Sequence, residues 1–141
     1  MRVVVLDTNV IISARAKPTG KPGQLLHRWI FTGLVQIVTS PTIVREYREV
    51  ASRRKFARYG FPPPWLDVLI AEGLQLPDEL SWPHDLPDRD DVPFVALAHR
   101  AGAWLVTGNL KHYPASTCAG ITVVSPADYL AHLESGTKMQ R

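Results

Sequence analysis

An acid closes the first apolar run of this chain: Val3-Val4-Val5-Leu6 is followed by Asp7, then Thr8 and Asn9. Glu46 falls in an amphipathic stretch that opens at Ser40-Pro41, and Asp88, Asp90 and Asp91 crowd the start of a later apolar stretch. Another apolar run, Trp104-Leu105-Val106, ends on Thr107-Gly108-Asn109. Carboxylates brought together repel one another and hold their protons unless a cation offsets them. Mg2+ or Mn2+ prefers oxygen ligands and can activate water for an in-line phosphoryl displacement. Each acid alone has an ordinary explanation, as a turn residue or a helix cap. Their joint placement argues for a carboxylate cluster around a hard divalent cation.

Such a cluster needs elements that bring distant residues together. Residues 2–6 read as a buried β-strand, short, β-branched and followed by turn-formers. Residues 15–23, rich in Pro and Gly, read as a mobile loop, followed by a helix at about 23–32. A second strand is expected at 35–39. Ser40-Pro41 then opens a helix, with Ser as cap and Pro in the first turn. At about 100° per residue, Ile43, Val44, Tyr47, Val50 and Ala51 share one face, and Glu46 lies roughly 40° outside its edge. Glu46 therefore skirts the core, whereas Glu49 meets water. Further helices are expected at about 63–73 and from Asp91 to Ala101, where Pro93 is tolerable only in the first turn. Strands at 103–106 and 121–124 follow, then a short helix from Ser125-Pro126. Alternating strands and helices imply an α/β fold: a mainly parallel central sheet with helices on both faces. In such sheets, sites form at the carboxyl ends of strands, where Asp7 and Asn109 both fall.

The bulk numbers fit one domain: 141 residues, 45% hydrophobic and 21% charged. No apolar run approaches the ~18 residues of a membrane span, and Asp7 interrupts the first run too early for a signal peptide. The single cysteine, Cys118, allows no internal disulfide, and a cytoplasmic location with no membrane partner is the simplest expectation. The net charge of +3 is unevenly spread: residues 1–60 hold eleven Lys/Arg and three acids, the rest five and ten. The densest part is Arg45, Arg48, Arg53, Arg54, Lys55 and Arg58, a fit for a polyanionic partner. The five histidines show no metal-ligand spacing; Lys111 and His112, just after the last apolar run, could touch substrate but read more readily as a surface turn.

Four blocks in order carry a family resemblance. They are Val4-Val5-Leu6-Asp7-Thr8-Asn9-Val10; Ser40-Pro41 with Glu46 and Glu49-Val50; Asp88-Arg89-Asp90-Asp91 with the apolar residues after it; and Leu105-Val106-Thr107-Gly108-Asn109. With them the chain resembles the PIN-domain ribonucleases, especially the VapC-like toxins of toxin–antitoxin modules. The resemblance implies a single PIN-like nuclease domain over about 1–133, with 134–141 a flexible tail. It implies that Asp7, Glu46 and Asp91 hold Mg2+ or Mn2+, and that Asn109 completes the catalytic set. Thr8, Asn9 and Thr107 would brace Asp7 or contact phosphate, Asp88 and Asp90 would be auxiliary acids, and Ser40 would orient the site. It further implies an endoribonuclease leaving 5′-phosphate and 3′-hydroxyl ends, a small cognate antitoxin and a homodimer. Two departures matter: the family's third block usually has Pro where this chain has Arg89 and a polar residue where it has Pro93, and its fourth block often ends in Asp where this chain has Asn109. Asn keeps an oxygen but loses a charge. A catalytically weak or inactive PIN fold that binds RNA or a partner therefore stands as the alternative. A metal-independent His/Lys ribonuclease and an aspartyl-phosphate receiver or phosphatase fit the residues less well.

Overall fold

In the computed structural model, which describes residues 2–139, five strands form one sheet in the order β3-β2-β1-β4-β5. They are β1 (Arg2–Leu6), β2 (Val35–Thr39), β3 (Leu74–Gln75), β4 (Trp104–Val106) and β5 (Val123–Val124). Every pairing is parallel; Val4 faces Ile37 on one side and Trp104 on the other. Six helices connect and cover the strands: α1 (Thr8–Ala16), α2 (Lys21–Leu25), α3 (Pro41–Ala51), α4 (Leu66–Glu72), α5 (Val92–Ala101) and α6 (Pro126–Met139). Parallel strands must be joined by crossovers, so the helices cover the sheet. That leaves Val4, Val5, Leu6, Val38, Leu105 and Val106 without solvent contact. Each such aliphatic side chain contributes roughly 1.5–3 kcal/mol by leaving water.

The strand order fixes where a ligand can sit. From β1 the chain proceeds to β2 and β3 on one side, then returns to β4 and β5 on the other. The order therefore reverses between β1 and β4, and a crevice opens outside the carboxyl ends of these two strands. Asp7 follows β1 and Thr107 follows β4. The backbone N–H of Asp7 donates to the Val106 carbonyl at 2.9 Å, which locks the two strand ends together.

Several elements depart from the sequence reading. Thr8–Ala16 is a helix; the β-branched Val10-Ile11-Ile12 conceals it, because Val10, Ile11 and Ala14 are buried at helical spacing. The expected loop over 15–23 shrinks to four residues between α1 and α2. Pro22 starts α2 rather than breaking it, and α2 runs on into a π-helical turn, Leu26–Ile30. A Cβ at Gly23 would fall 2.0 Å from the Pro18 carbonyl oxygen, so the tight turn into α2 requires glycine. The two-residue edge strand β3 gives no alternating pattern to read. α6 is longer than expected and continues through 134–139, where a tail was suggested; residues 140 and 141 lie outside the described residues. Tyr129, Leu130 and Leu133 bury its apolar face. Cys118 is a free, buried thiol.

Candidate metal centre at the β1–β4 crevice

Asp7 is 5% exposed and ends β1 in extended backbone, φ −65° and ψ 148°, at the cap position of α1. Its carboxylate lies deep, and its Oδ2 collects side-chain donors. The Tyr113 hydroxyl donates at 2.8 Å, the Thr107 hydroxyl at 3.0 Å and the Asn9 amide at 3.4 Å. Thr107 is itself fully buried; its Oγ1 accepts from the Asn109 backbone N–H at 3.0 Å and from the Asn9 amide at 3.4 Å. The Asn9 Oδ1 accepts from the Gly108 N–H at 2.8 Å. Asn9 thus ties the start of α1 to the loop after β4, and the β4 block holds Asp7 from both backbone and side chain.

The second acid comes from α3. Ser40 holds the cap position of this helix in extended backbone, with Pro41 in the first turn, but its side chain makes no cap hydrogen bond. The face predicted by angle is the face that packs: Ile43, Tyr47 and Ala51 are buried, Glu46 is half-buried and Glu49 is exposed. The Tyr47 hydroxyl donates to the Leu6 carbonyl at 2.5 Å, pinning α3 to the residue before Asp7. Glu46 Oε2 accepts from the hydroxyl of Thr8. Ser40 turns elsewhere and lines a groove with Arg45 and Arg48.

The third block is shaped by Pro93 and Asp88. Asp88 Oδ1 accepts from the Asp90 N–H at 2.9 Å, and a 3-10 turn over Arg89–Asp91 leads into α5. This turn leaves Asp90 exposed and carries Asp91 inward to 7% exposure. Asp91 Oδ2 meets His112 Nδ1 at 3.0 Å. One ligand atom each from Asp88, Asp91 and His112 lies within 4.8 Å of the others. Thr8, Asn9, Glu46, Asp88, Asp90 and Asp91 line a single open cleft.

The electrostatics follow from that crowding. Burial raises the Asp7 carboxyl above its usual range, and the hydrogen bonds from Tyr113 and Thr107 oppose the rise. Burial also raises Glu46; the Thr8 hydroxyl opposes it, and repulsion from Asp7, Asp90 and Asp88 adds to it. Asp91 is pushed up to about 6, by burial first and then by Asp7 and Asp88, with His112 opposing. Burial and the neighbouring carboxylates push the Tyr113 phenol upward, so it stays a neutral donor to Asp7. A divalent cation among these oxygens would oppose their mutual repulsion. Aspartate and glutamate oxygens are hard donors suited to Mg2+ or Mn2+, and the imidazole of His112 can join them at Mn2+. The residues present therefore fit a divalent cation.

Asp7, Thr8, Asn9, Glu46, Asp88, Asp90, Asp91, Thr107 and Asn109 all gather at this end of the sheet, and Ser40 alone faces another groove. Sequence reasoning missed Tyr113 and set aside His112. A polar-tipped aromatic four residues after Asn109, beside a histidine, was the available signal. It carries no periodicity, because its meaning depends on a contact 106 residues away.

A model of the PIN-domain family matches residues 3–111. The uncharacterised protein MJ1680 of Methanocaldococcus jannaschii is 32% identical over 111 residues, covering 75% of this chain and 70% of that protein. The fold is similar to that of a chain of VapBC2 from Rickettsia felis, solved bound to a DNA fragment from its promoter. The TM-score is 0.60 at 16% identity, covering 87% of this chain and 98% of that one. It is also similar to a chain of FitAcB from Neisseria gonorrhoeae, with a TM-score of 0.56 at 19% identity, covering 88% and 98%. At these identities the two solved structures speak to the fold.

Proposed function

This chain belongs to the PIN-domain family, a family of nucleases, and on that premise we propose that it is a metal-dependent endoribonuclease and the toxin of a toxin–antitoxin pair. The observation that supports the proposal is the crowding of acids at the reversal point of the sheet: Glu46, Asp88, Asp90 and Asp91 line one cleft, and buried Asp7 lies close enough to raise the carboxyls of Glu46 and Asp91. Burying charges together is costly unless something opposes them, and a divalent cation is the group that would.

In this reading Asp7, Glu46 and Asp91 hold Mg2+ or Mn2+, with Asp88 as an auxiliary acid. When bound, the cation supplies Lewis-acid activation of water and stabilises charge in the phosphoryl displacement. The chain's own residues orient the ligands. Tyr113 and Thr107 fix one oxygen of Asp7, the Thr8 hydroxyl fixes Glu46, and His112 fixes Asp91. Such partners typically matter by about 10–100-fold in affinity or activity. Asn9 lines the cleft, where a scissile phosphate would lie, and Thr107 braces Asp7 from beneath it. Asn109 keeps a side-chain oxygen at the end of β4 but no charge.

RNA is the proposed substrate, supported by the excess of cations in the first half of the chain. The toxin role is supported by the VapC-like sequence blocks and by the fold shared with chains of VapBC2 and FitAcB. A small antitoxin covering the acidic cleft and a homodimer belong to the same proposal. No helix among the described residues is long and apolar enough to cross a membrane.

The test is incubation of the purified chain with a mixed pool of structured RNA, in Mn2+ or Mg2+, in EDTA, and with Asp7→Asn in parallel. Cutting that requires metal and Asp7 is the expected result. Cutting that survives EDTA rejects the carboxylate–metal chemistry. Tight RNA binding with no cutting would move the chain to the second reading, a PIN fold that binds without cleaving, which the missing charge at Asn109 favours.

A further inference from the structure

The acidic cleft has a second kind of wall. Besides the carboxylates it is lined by Ile12, Val50, Phe56 and Arg53. Phe56 belongs to a 3-10 turn, Arg54–Tyr59, that follows α3 directly. Around it the chain carries Arg53, Arg54, Lys55 and Arg58, all exposed. Arg53 lies 3.7 Å from Glu49; among the described residues the other three pair with no carboxylate.

The turn is anchored rather than loose. The Phe56 ring packs on Phe61 with centroids 5.5 Å apart, and the Phe56 N–H donates to the Arg53 carbonyl at 3.0 Å. Arg15, from the end of α1, donates its Nε to the Tyr59 carbonyl at 3.2 Å. Gly60 closes the turn at φ 76°, where an added Cβ would fall 2.5 Å from the Arg15 guanidinium. The platform is thus tied to the same helix whose first turn carries Thr8 and Asn9.

Acids line the cleft and exposed cations stand on the turn beside it, Lys55 Nζ lying 5.1 Å from the Phe56 ring centroid, so the two divide the handling of a polyanion. The acids repel phosphate unless a cation intervenes, so affinity must come from the neighbouring arginines and lysine. The apolar strip of Ile12, Val50 and Phe56 has nothing to offer a phosphate. It suits the face of a base, which a duplex keeps stacked and an unpaired strand exposes.

We propose that the Arg53–Tyr59 turn is a nucleotide-binding arm. In it, Phe56 stacks on an unpaired base beside the scissile phosphate, and Arg54, Lys55 and Arg58 grip the phosphates beyond. The arm selects unpaired RNA at the cleft mouth. This rests on reading the cleft as a ribonuclease site.

The experiment measures binding of the whole chain in EDTA to a labelled unpaired oligoribonucleotide and to a blunt duplex of the same sequence, by fluorescence anisotropy across salt concentrations. The unpaired strand binds more tightly than the duplex. Phe56→Leu, which keeps apolar volume but not the ring, weakens the unpaired strand by about tenfold, and Phe56→Tyr does not. Arg54→Ala combined with Lys55→Ala lowers the slope of log affinity against log salt by about 1.4, roughly 0.7 for each lost phosphate contact. Melting temperatures of the variants confirm that they fold. Equal binding of strand and duplex overturns the proposal. So does wild-type affinity and salt slope in both the Phe56→Leu and the double variant. Cleavage in Mn2+ is scored separately. If the variants bind and cut as the wild type does, the arm fails and the nuclease reading stands. If the wild type binds through the arm and never cuts, the arm stands and the nuclease reading fails.

Discussion

The strands β1 and β4 lie side by side, yet their two ends are built from opposite materials. At the amino ends, Arg2, Val3, Gly102 and Trp104 meet Tyr129 and His132 from α6 around a shallow cavity. Trp104 stacks on His132 with centroids 4.2 Å apart and leans on Tyr129 at 5.9 Å. At the carboxyl ends, Asp7, one peptide bond beyond β1, is buried in the field of Asp91 from the turn before α5. Aromatic packing lowers the free energy of the folded chain, whereas gathered carboxylates raise it. The contrast teaches that the carboxyl end is held in place by the rest of the fold and contributes function at a cost to stability. Such a trade is the usual relation between active sites and the scaffolds that carry them.

The comparison breaks most visibly at Asp7. Asp7→Asn is expected to cut metal-dependent RNA cleavage by about a thousandfold, the several kcal/mol that a lost metal ligand forfeits in the transition state. Circular dichroism and melting in EDTA should show the fold unharmed, since a buried charge has gone. Next in size, Trp104→Ala at the opposite end is expected to lower stability by about 2–3 kcal/mol in chemical denaturation and to leave the cleavage rate of the folded protein unchanged. An amino-end variant that silenced cleavage without unfolding the chain would erase the distinction.

Asp91 sharpens the comparison through pH. Its folded carboxyl stands at about 6, above the usual 3.8. The folded state therefore holds this proton more tightly than the unfolded chain. That contribution is fully present below about pH 4 and is lost as pH rises through about 6. Asp91→Asn in EDTA is thus expected to match the wild type near pH 4 and to exceed it by about 2 kcal/mol at pH 7. Urea unfolding of both proteins at the two pH values decides this, and a gap that narrows with rising pH would refute it. The smallest effect is at Tyr113. Tyr113→Phe removes one donor to Asp7, for a loss of about 1 kcal/mol in stability and about tenfold in cleavage rate.

Sequence carried the site further than it carried the elements around it. Asp7 and Thr107 were legible because short apolar runs end on them, and a parallel sheet gathers its strand ends. Glu46 was legible from helical angle alone, whereas Pro93 fixed the helix start only to Asp90 or Asp91, and it is the 3-10 turn over Arg89–Asp91 that carries Asp91 inward. Helix α1 was hidden because Val10-Ile11-Ile12 has strand-like composition, and tertiary burial overrode that preference. β3 was hidden because two exposed residues make no pattern. Tyr113 and His112 were missed for another reason: their contacts span 106 and 21 residues, and no local periodicity encodes a partner at that distance. Ser40 was expected at the site for its position after β2, but at the start of α3 it lines a separate groove with Arg45 and Arg48.

The most direct measurement is a Mn2+ titration of the EDTA-treated wild-type chain, following RNA cleavage and melting temperature in the same samples at pH 7. If the carboxylates at the β1–β4 crevice form the catalytic cation site, cleavage and melting temperature rise from their baselines together, with one half-saturating concentration. Full cleavage before any Mn2+ is added, with EDTA in excess, would contradict the account.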